Sequence, residues 1–260
     1  MIKARAQHGA WERFQHREAL VTSAIARKLI DSVSQQQAPL AAQRTSAVEQ
    51  RLQRVLAAFA AERLGTQHFA SLTGYGHGDQ GRDLVDRVFA RVLGAEAAAV
   101  RMQFVSGTHA ITAALFGVLR PGDRLLSITG RPYDTLEEVI GLRGTGQGSL
   151  ADFGIDYDEV PLTPEGVVDR VGLDQALALP QRMVLIQRSC GYSWRPSLSV
   201  KAIGELCALI HARQPDCIWF FDNCYGVLVP SCEPPEVGAD LVAGSLIMNL
   251  AVTIAPTDGD

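Results

Sequence analysis

The stretch RMVLIQRSCGYSWRPSLSVKAIGELCALIHARQPDCIWFFDN, residues 182–223, decides the fold. RMVLIQRS reads as a strand, SVKAIGELCALIHAR as a helix and CIWFFDN as a second strand. The same alternation extends in both directions. Towards the N-terminus, AAVRMQFV (98–105) reads as a strand and THAITAALFGVL (108–119) as a helix. DRLLSIT (123–129) and IDYDEVPL (155–162) read as strands, each followed by a helix, DTLEEVIGL (134–142) and DRVGLDQALAL (169–179). Towards the C-terminus, ADLVAGSL (239–246) reads as a last short strand. Strands alternating with helices predict an α/β fold, a mainly parallel sheet covered on both faces. Ligands of such sheets bind at the carboxyl ends of the strands.

Upstream, residues 10–37 read as a helix that ends before Pro39, and Val48, Leu52, Val55, Leu56 and Phe59 fall on one face of a second helix that stops near Gly65. GYGHGDQGRD (74–83) is too rich in glycine and charge for a regular element, and a helix resumes near Leu84. The expected organisation is a helical arm over 1–64 and a large domain over 65–260.

Composition narrows the class. Hydrophobic residues make up 47% and charged residues 20% of 260 residues, a globular balance. No apolar run reaches about 18 residues, so no membrane helix is expected, and the N-terminus lacks a secretory signal. The net charge of −4 argues against nucleic acid as the main partner. Residues 1–63 nevertheless carry a net +5. Either a basic arm docks on an acidic body or neighbour, or the charges are solvated helix faces. The five cysteines form no C-x-x-C pair and the six histidines no ligand-spaced cluster, so no metal site is expected and a reducing cytoplasm is.

The predicted strand ends carry the chemistry. VSGTHAIT (105–112) puts a glycine between a strand and a helix, which makes an anion site of the helix N-terminus, with Ser106 and Thr108 as hydroxyl donors. The P-loop and dinucleotide glycine patterns are both missing. An ordinary helix cap also explains this stretch. Tyr133 lies in a Pro-fixed turn where an aromatic can stack on a flat ring or simply pack. Asp222 follows four large apolar residues and needs a cationic partner if buried, or caps the next turn. Ser245 is a second phosphate donor. Together these are the contacts that pyridoxal phosphate needs.

The motifs GHGDQGRD, ITGRPYDTLEEVIG and QRSCGYSWRPS, with SGTHA, FFDNCYG and AGSLI, resemble the methionine gamma-lyase family, also called aluminium resistance proteins. These are fold-type-I pyridoxal phosphate enzymes related to the cystathionine beta- and gamma-lyases. The resemblance covers about residues 65–247. It implies a three-layer α/β/α large domain and a cytoplasmic carbon–sulfur lyase of sulfur amino acids. By this resemblance Gly107 and Thr108 hold the cofactor phosphate, Tyr133 stacks on the ring, Asp222 binds the pyridinium nitrogen and Ser245 touches the phosphate. Tyr75 and Arg82 reach the phosphate in a neighbouring subunit, which implies a homo-oligomer with shared sites. Ser189 and Arg195 are near-site candidates.

Two departures stand out. The family places a lysine, which holds the cofactor covalently, where this chain has Met248, and the other lysines are Lys3, Lys28 and Lys201. The family also continues through a last strand and a small C-terminal domain. In the general fold that last strand lies beside AAVRMQFV, so the sheet here is expected to be incomplete. The sequence therefore implies a catalytically incompetent homologue. It binds the cofactor weakly, pairs with an intact subunit, or is the product of a damaged gene. A nucleotide-binding α/β protein is the reading from a different class.

Overall fold

The structure, a computed structural model, describes residues 24–72 and 74–249. The boundary between two compact units falls between Leu52 and Gln53. Helix α1, Ala24–Ala61, begins in the first unit. It runs through Pro39, where the sequence predicts a break. Proline removes one helical hydrogen bond. The Gln- and Ala-rich residues on both sides are good helix formers and carry the helix across. The predicted helix over 10–37 lies outside the described residues up to 23.

In the second unit, the last turns of α1 meet α2, Gln80–Leu93, around Ala58, Leu84, Val88 and Val92. Val55 and Phe59 pack there as their spacing predicts, whereas Val48, Leu52 and Leu56, expected on the same face, are exposed. Glu62 ties the pair together with Arg87 at 2.9 Å and Arg91 at 2.7 Å. Helix α2 starts four residues earlier than the glycine-rich texture suggests. Asp79 caps it by accepting from Arg82 N at 2.9 Å, and the cap outweighs the local glycines.

Next come α3 (Gly107–Val118), β1 (Arg124–Ser127), α4 (Asp134–Ile140), β2 (Asp156–Glu159), α5 (Arg170–Ala176), β3 (Met183–Gln187), α6 (Val200–His211), β4 (Ile218–Asp222), β5 (Leu241–Ala243) and the short α7 (Leu246–Asn249). The strands form one parallel sheet in the order β2-β1-β3-β4-β5. Side chains alternate between its faces. Val184, Ile186, Trp219 and Phe221 join a core with α6, and Met183, Leu185 and Phe220 join one with α3 and α4. Gln187 and Asp222, register partners at the ends of β3 and β4, continue the second series. They therefore belong to the α3 face.

One predicted strand is absent. Residues 98–105 are irregular. A strand needs a ladder partner for its backbone groups, and among the described residues none lies alongside. Asp86 substitutes in part, accepting from Val100 N at 2.8 Å and from the Arg101 guanidinium at 2.7 Å. A cleft of about 660 Å³ is lined by 94–100, by Ala110, Ala113 and Ala114 of α3, and by β5. Among the described residues β5 pairs only with β4.

Candidate functional site

The site assembles where α3 begins against the ends of β4 and β5. Ser106 is extended and caps α3, its Oγ accepting from His109 N at 3.1 Å. Gly107 follows, buried. A Cβ there would lie 3.0 Å from Ser245 Cβ and 3.3 Å from Cys224 Sγ, so glycine lets the loops after β4 and β5 close on the helix N-terminus without crowding. That contact brings Gly107, Ser245 and the Asp222–Cys224 turn into one cluster.

Thr108 Oγ1 lies 3.1 Å from Tyr133 Oη and 3.4 Å from Thr135 Oγ1. Tyr133 opens α4 and packs partly against the α3-face core. Its phenol is held well above its ordinary range by burial and then by the charge of Asp222. It is therefore a neutral aromatic at working pH. Asp222 is 2% exposed. Its Oδ1 accepts from Cys224 N at 3.0 Å, so the carboxylate does cap the next turn. Burial raises its affinity for a proton, and the Cys224 contacts oppose this. Among the described residues no arginine, lysine or histidine pairs with it.

The wall behind Asp222 has little signature in the sequence. Arg188, buried, donates from Nη1 to Asn223 Oδ1 at 2.7 Å and to Gly226 O at 2.9 Å, and from Nε to Leu198 O at 3.2 Å. Asn223 Nδ2 donates to Glu233 Oε2 at 3.2 Å, and Glu233 Oε1 accepts from Leu228 N at 2.7 Å. The loop wraps this network with Tyr225 and Leu228 at φ of 63° and 55°, a strained conformation for side-chain-bearing residues. A Cβ at Gly226 would sit 2.1 Å from Arg188 Nη1 and 2.3 Å from Asn223 Oδ1. Gly226→Ala is expected to cost about 3 kcal/mol, because overpacking would split a buried charged network. Urea denaturation measures it; an unchanged midpoint would show that the loop yields without the network.

Ser189 and Arg195 take structural posts. Arg195 Nη2 donates to Gln187 O at 2.9 Å and to Ser189 O, so it binds the carbonyls where β3 ends. Tyr75 and Arg82 are not brought to the cluster within this chain: Tyr75 is 85% exposed and Arg82 pairs with Asp79 at 3.5 Å. Met248 is 40% exposed on α7, with its backbone N–H donating to Ser245 O at 3.2 Å. Lys201 is exposed on α6, which packs on the sheet face opposite Asp222. All five cysteines are free. Among the described residues no group of three metal-ligating side chains occurs, and no helix is long and apolar enough to cross a membrane.

The chain matches known proteins. The family model described as methionine gamma-lyase matches residues 26–260. The chain belongs to the methionine gamma-lyase family. It is 48% identical over 207 residues to the uncharacterized protein YnbB of Bacillus subtilis (strain 168), a match covering 79% of this chain and 49% of YnbB. It is 47% identical to the Listeria innocua protein described as a candidate cystathionine beta-lyase involved in aluminum resistance, with a TM-score of 0.88 over 92% of this chain and 58% of that one. The pyridoxal-5'-phosphate dependent protein YhfS of Escherichia coli, 20% identical with a TM-score of 0.55 over 76% of this chain and 49% of that one, shares the fold. This family member spans about half the length of the curated relatives it matches.

Proposed function

We propose that the cluster is a pyridoxal phosphate site of the carbon–sulfur lyase type, in which this chain holds the cofactor without a covalent bond. The observation that carries the reading is Asp222, a buried carboxylate with no cationic side chain bonded to it among the described residues. A buried charge without a partner is costly, and a protonated ring nitrogen supplies the missing cation. The residues around it fit the rest of the group. The amides at the start of α3, with Thr108 and Ser245, form an anion cradle for the phosphate. Tyr133, neutral and next to Thr108, offers its face to the ring.

When bound, the cofactor supplies an electron sink for the substrate carbon attached to it. Asp222 keeps the ring nitrogen protonated, which sustains that capacity. The cradle would orient the ring, and the buried Cys224 turn would keep water from the Asp222 carboxylate. The position of the family's lysine carries no group that can move a proton. Met248 follows Ser245 by three residues, where the family resemblance places the lysine, and a thioether neither forms a covalent link to the cofactor nor takes up a proton. The proposed state is therefore cofactor-binding and without lyase turnover. Tyr75, exposed ahead of α2, and Arg82, half-buried in its first turn, are proposed to complete the phosphate site of a second copy.

Titration with pyridoxal phosphate, read by the circular dichroism induced in the cofactor's own absorption band, tests this reading. Saturable, dialysable binding is expected, weakened about tenfold by Thr108→Val through loss of one hydroxyl contact to an anion. Absence of any saturable signal, or tight binding of a dinucleotide instead, would remove it.

A further inference from the structure

Glu233 stands in the wall behind Asp222 and is 1% exposed. Its Oε2 accepts from Asn223 Nδ2 at 3.2 Å and its Oε1 from Leu228 N at 2.7 Å. Both oxygens accept, which is the bonding of an ionised carboxyl group. The counter-charge is reached through the Asn223 amide, whose Oδ1 accepts from Arg188 Nη1 at 2.7 Å. Asn223 thus spans two buried charges of opposite sign, and each end of its amide faces the charge that orients it. Such a set adds little net stability compared with apolar packing, so its use is sought in the conformation it fixes.

That conformation is the turn that carries Asp222. Asn223 follows Asp222 directly; its N–H donates to Ala243 O at 2.8 Å, and its carbonyl accepts from Gly226 N at 2.8 Å. Asp222 Oδ1 accepts from Cys224 N, so the same turn sets the direction of the carboxylate. Tyr225 and Leu228, at φ of 63° and 55°, take a region that side-chain-bearing residues avoid. Arg188 Nη1 holds Gly226 O at 2.9 Å, between the two, and Glu233 Oε1 holds the N–H of Leu228 itself. A segment under strain keeps its shape where its neighbours over-determine it. We propose that Glu233 is a positioning residue, which holds Asn223 and Leu228 so that the Asp222 carboxylate is fixed for pairing with the cofactor's ring nitrogen. The inference rests on the cofactor reading above and adds to it a residue that acts on the ring through Asp222 without touching it.

Binding of pyridoxal phosphate and of its 1-deaza analogue, in which C–H replaces the ring nitrogen, to the full chain and to Glu233→Gln tests it. Glutamine has the same length but sets an amide NH2 against one of the two N–H donors. The wild type should prefer the nitrogen-bearing ligand at least about tenfold, because that ligand pairs with Asp222 and the analogue does not. In Glu233→Gln most of that preference should be lost, with pyridoxal phosphate weakened about tenfold and the analogue bound as before. A residue that serves stability alone would weaken both ligands alike, which overturns the inference, as does a variant that keeps the preference. Where Glu233→Gln does not fold, Glu233→Asp, which keeps the charge and draws it back by one methylene, is read in the same way. Failure of both variants to fold makes Glu233 a core residue and also overturns the inference. These outcomes leave pyridoxal phosphate binding intact. A wild type that binds both ligands equally removes the pairing of Asp222 with the ring nitrogen, one that binds neither removes the cofactor reading, and the inference falls with either.

Discussion

Met248→Lys converts the reversible complex into a covalent one. After incubation with pyridoxal phosphate and borohydride reduction, about one cofactor per chain should remain on the peptide containing residue 248. The expectation follows from position and chemistry. Residue 248 lies three residues beyond Ser245, its N–H bonded to the Ser245 carbonyl, so it is tethered to a residue that meets the helix end at Gly107. At 40% exposure it has room for an ammonium group, and lysine adds a nucleophilic amine that condenses with a carbonyl. A second effect is retention: a covalent link survives the dialysis that strips the wild type. A variant that binds the cofactor reversibly and is never labelled at 248 would show that this residue does not face the cofactor.

Asp222→Asn should stabilise the protein and weaken its complex. The native carboxyl is pushed above the usual aspartate range by burial. A raised folded-state pKa means the stability contribution is full below the unfolded value and is lost as pH rises through the folded one. At neutral pH the cofactor-free chain is therefore less stable than it would be with a side chain that does not titrate at this position. Asparagine keeps the acceptor for Cys224 N, bonded at 3.0 Å, and does not titrate. A gain of roughly 1 kcal/mol, about 2–4 °C in the melting midpoint, is expected at pH 7, shrinking as pH falls towards the ordinary aspartate pKa near ~3.9. Cofactor affinity should move the other way, falling about 10- to 100-fold as the charge-assisted bond to the ring nitrogen is lost. Paired melts with and without cofactor across this pH range measure both signs. If the variant were destabilised without the cofactor and unaltered in binding, Asp222 would be a structural cap and no more.

Most of the fold was legible because its signals are local. The five strands found, from DRLLSIT to ADLVAGSL, are short apolar or alternating runs between helical patterns, and burial on the sheet enforces what each run suggests. AAVRMQFV failed for a non-local reason. A strand is defined by a neighbour, and its own residues do not say whether one is there. Pro39 misled because a local penalty was outvoted by the helix formers on either side. In the site, Gly107, Thr108, Tyr133, Asp222 and Ser245 could be proposed because residue type and strand-end position coincide, and the structure gathers them around Gly107 and Thr108. Arg188, Asn223 and Glu233 could not, since their meaning lies in contacts across 10 and 35 positions of sequence.

The proposed site keeps the cofactor by ion pair, phosphate cradle and stacking, without a lysine. The most direct test is to saturate the wild-type chain with pyridoxal phosphate, reduce with borohydride and weigh the intact protein. The mass of the unmodified chain is expected, with about one equivalent of cofactor released on unfolding. A stoichiometric adduct on Lys28, Lys201 or any other amine of the chain would contradict it, because the cofactor would then be held by a covalent bond that this geometry does not supply.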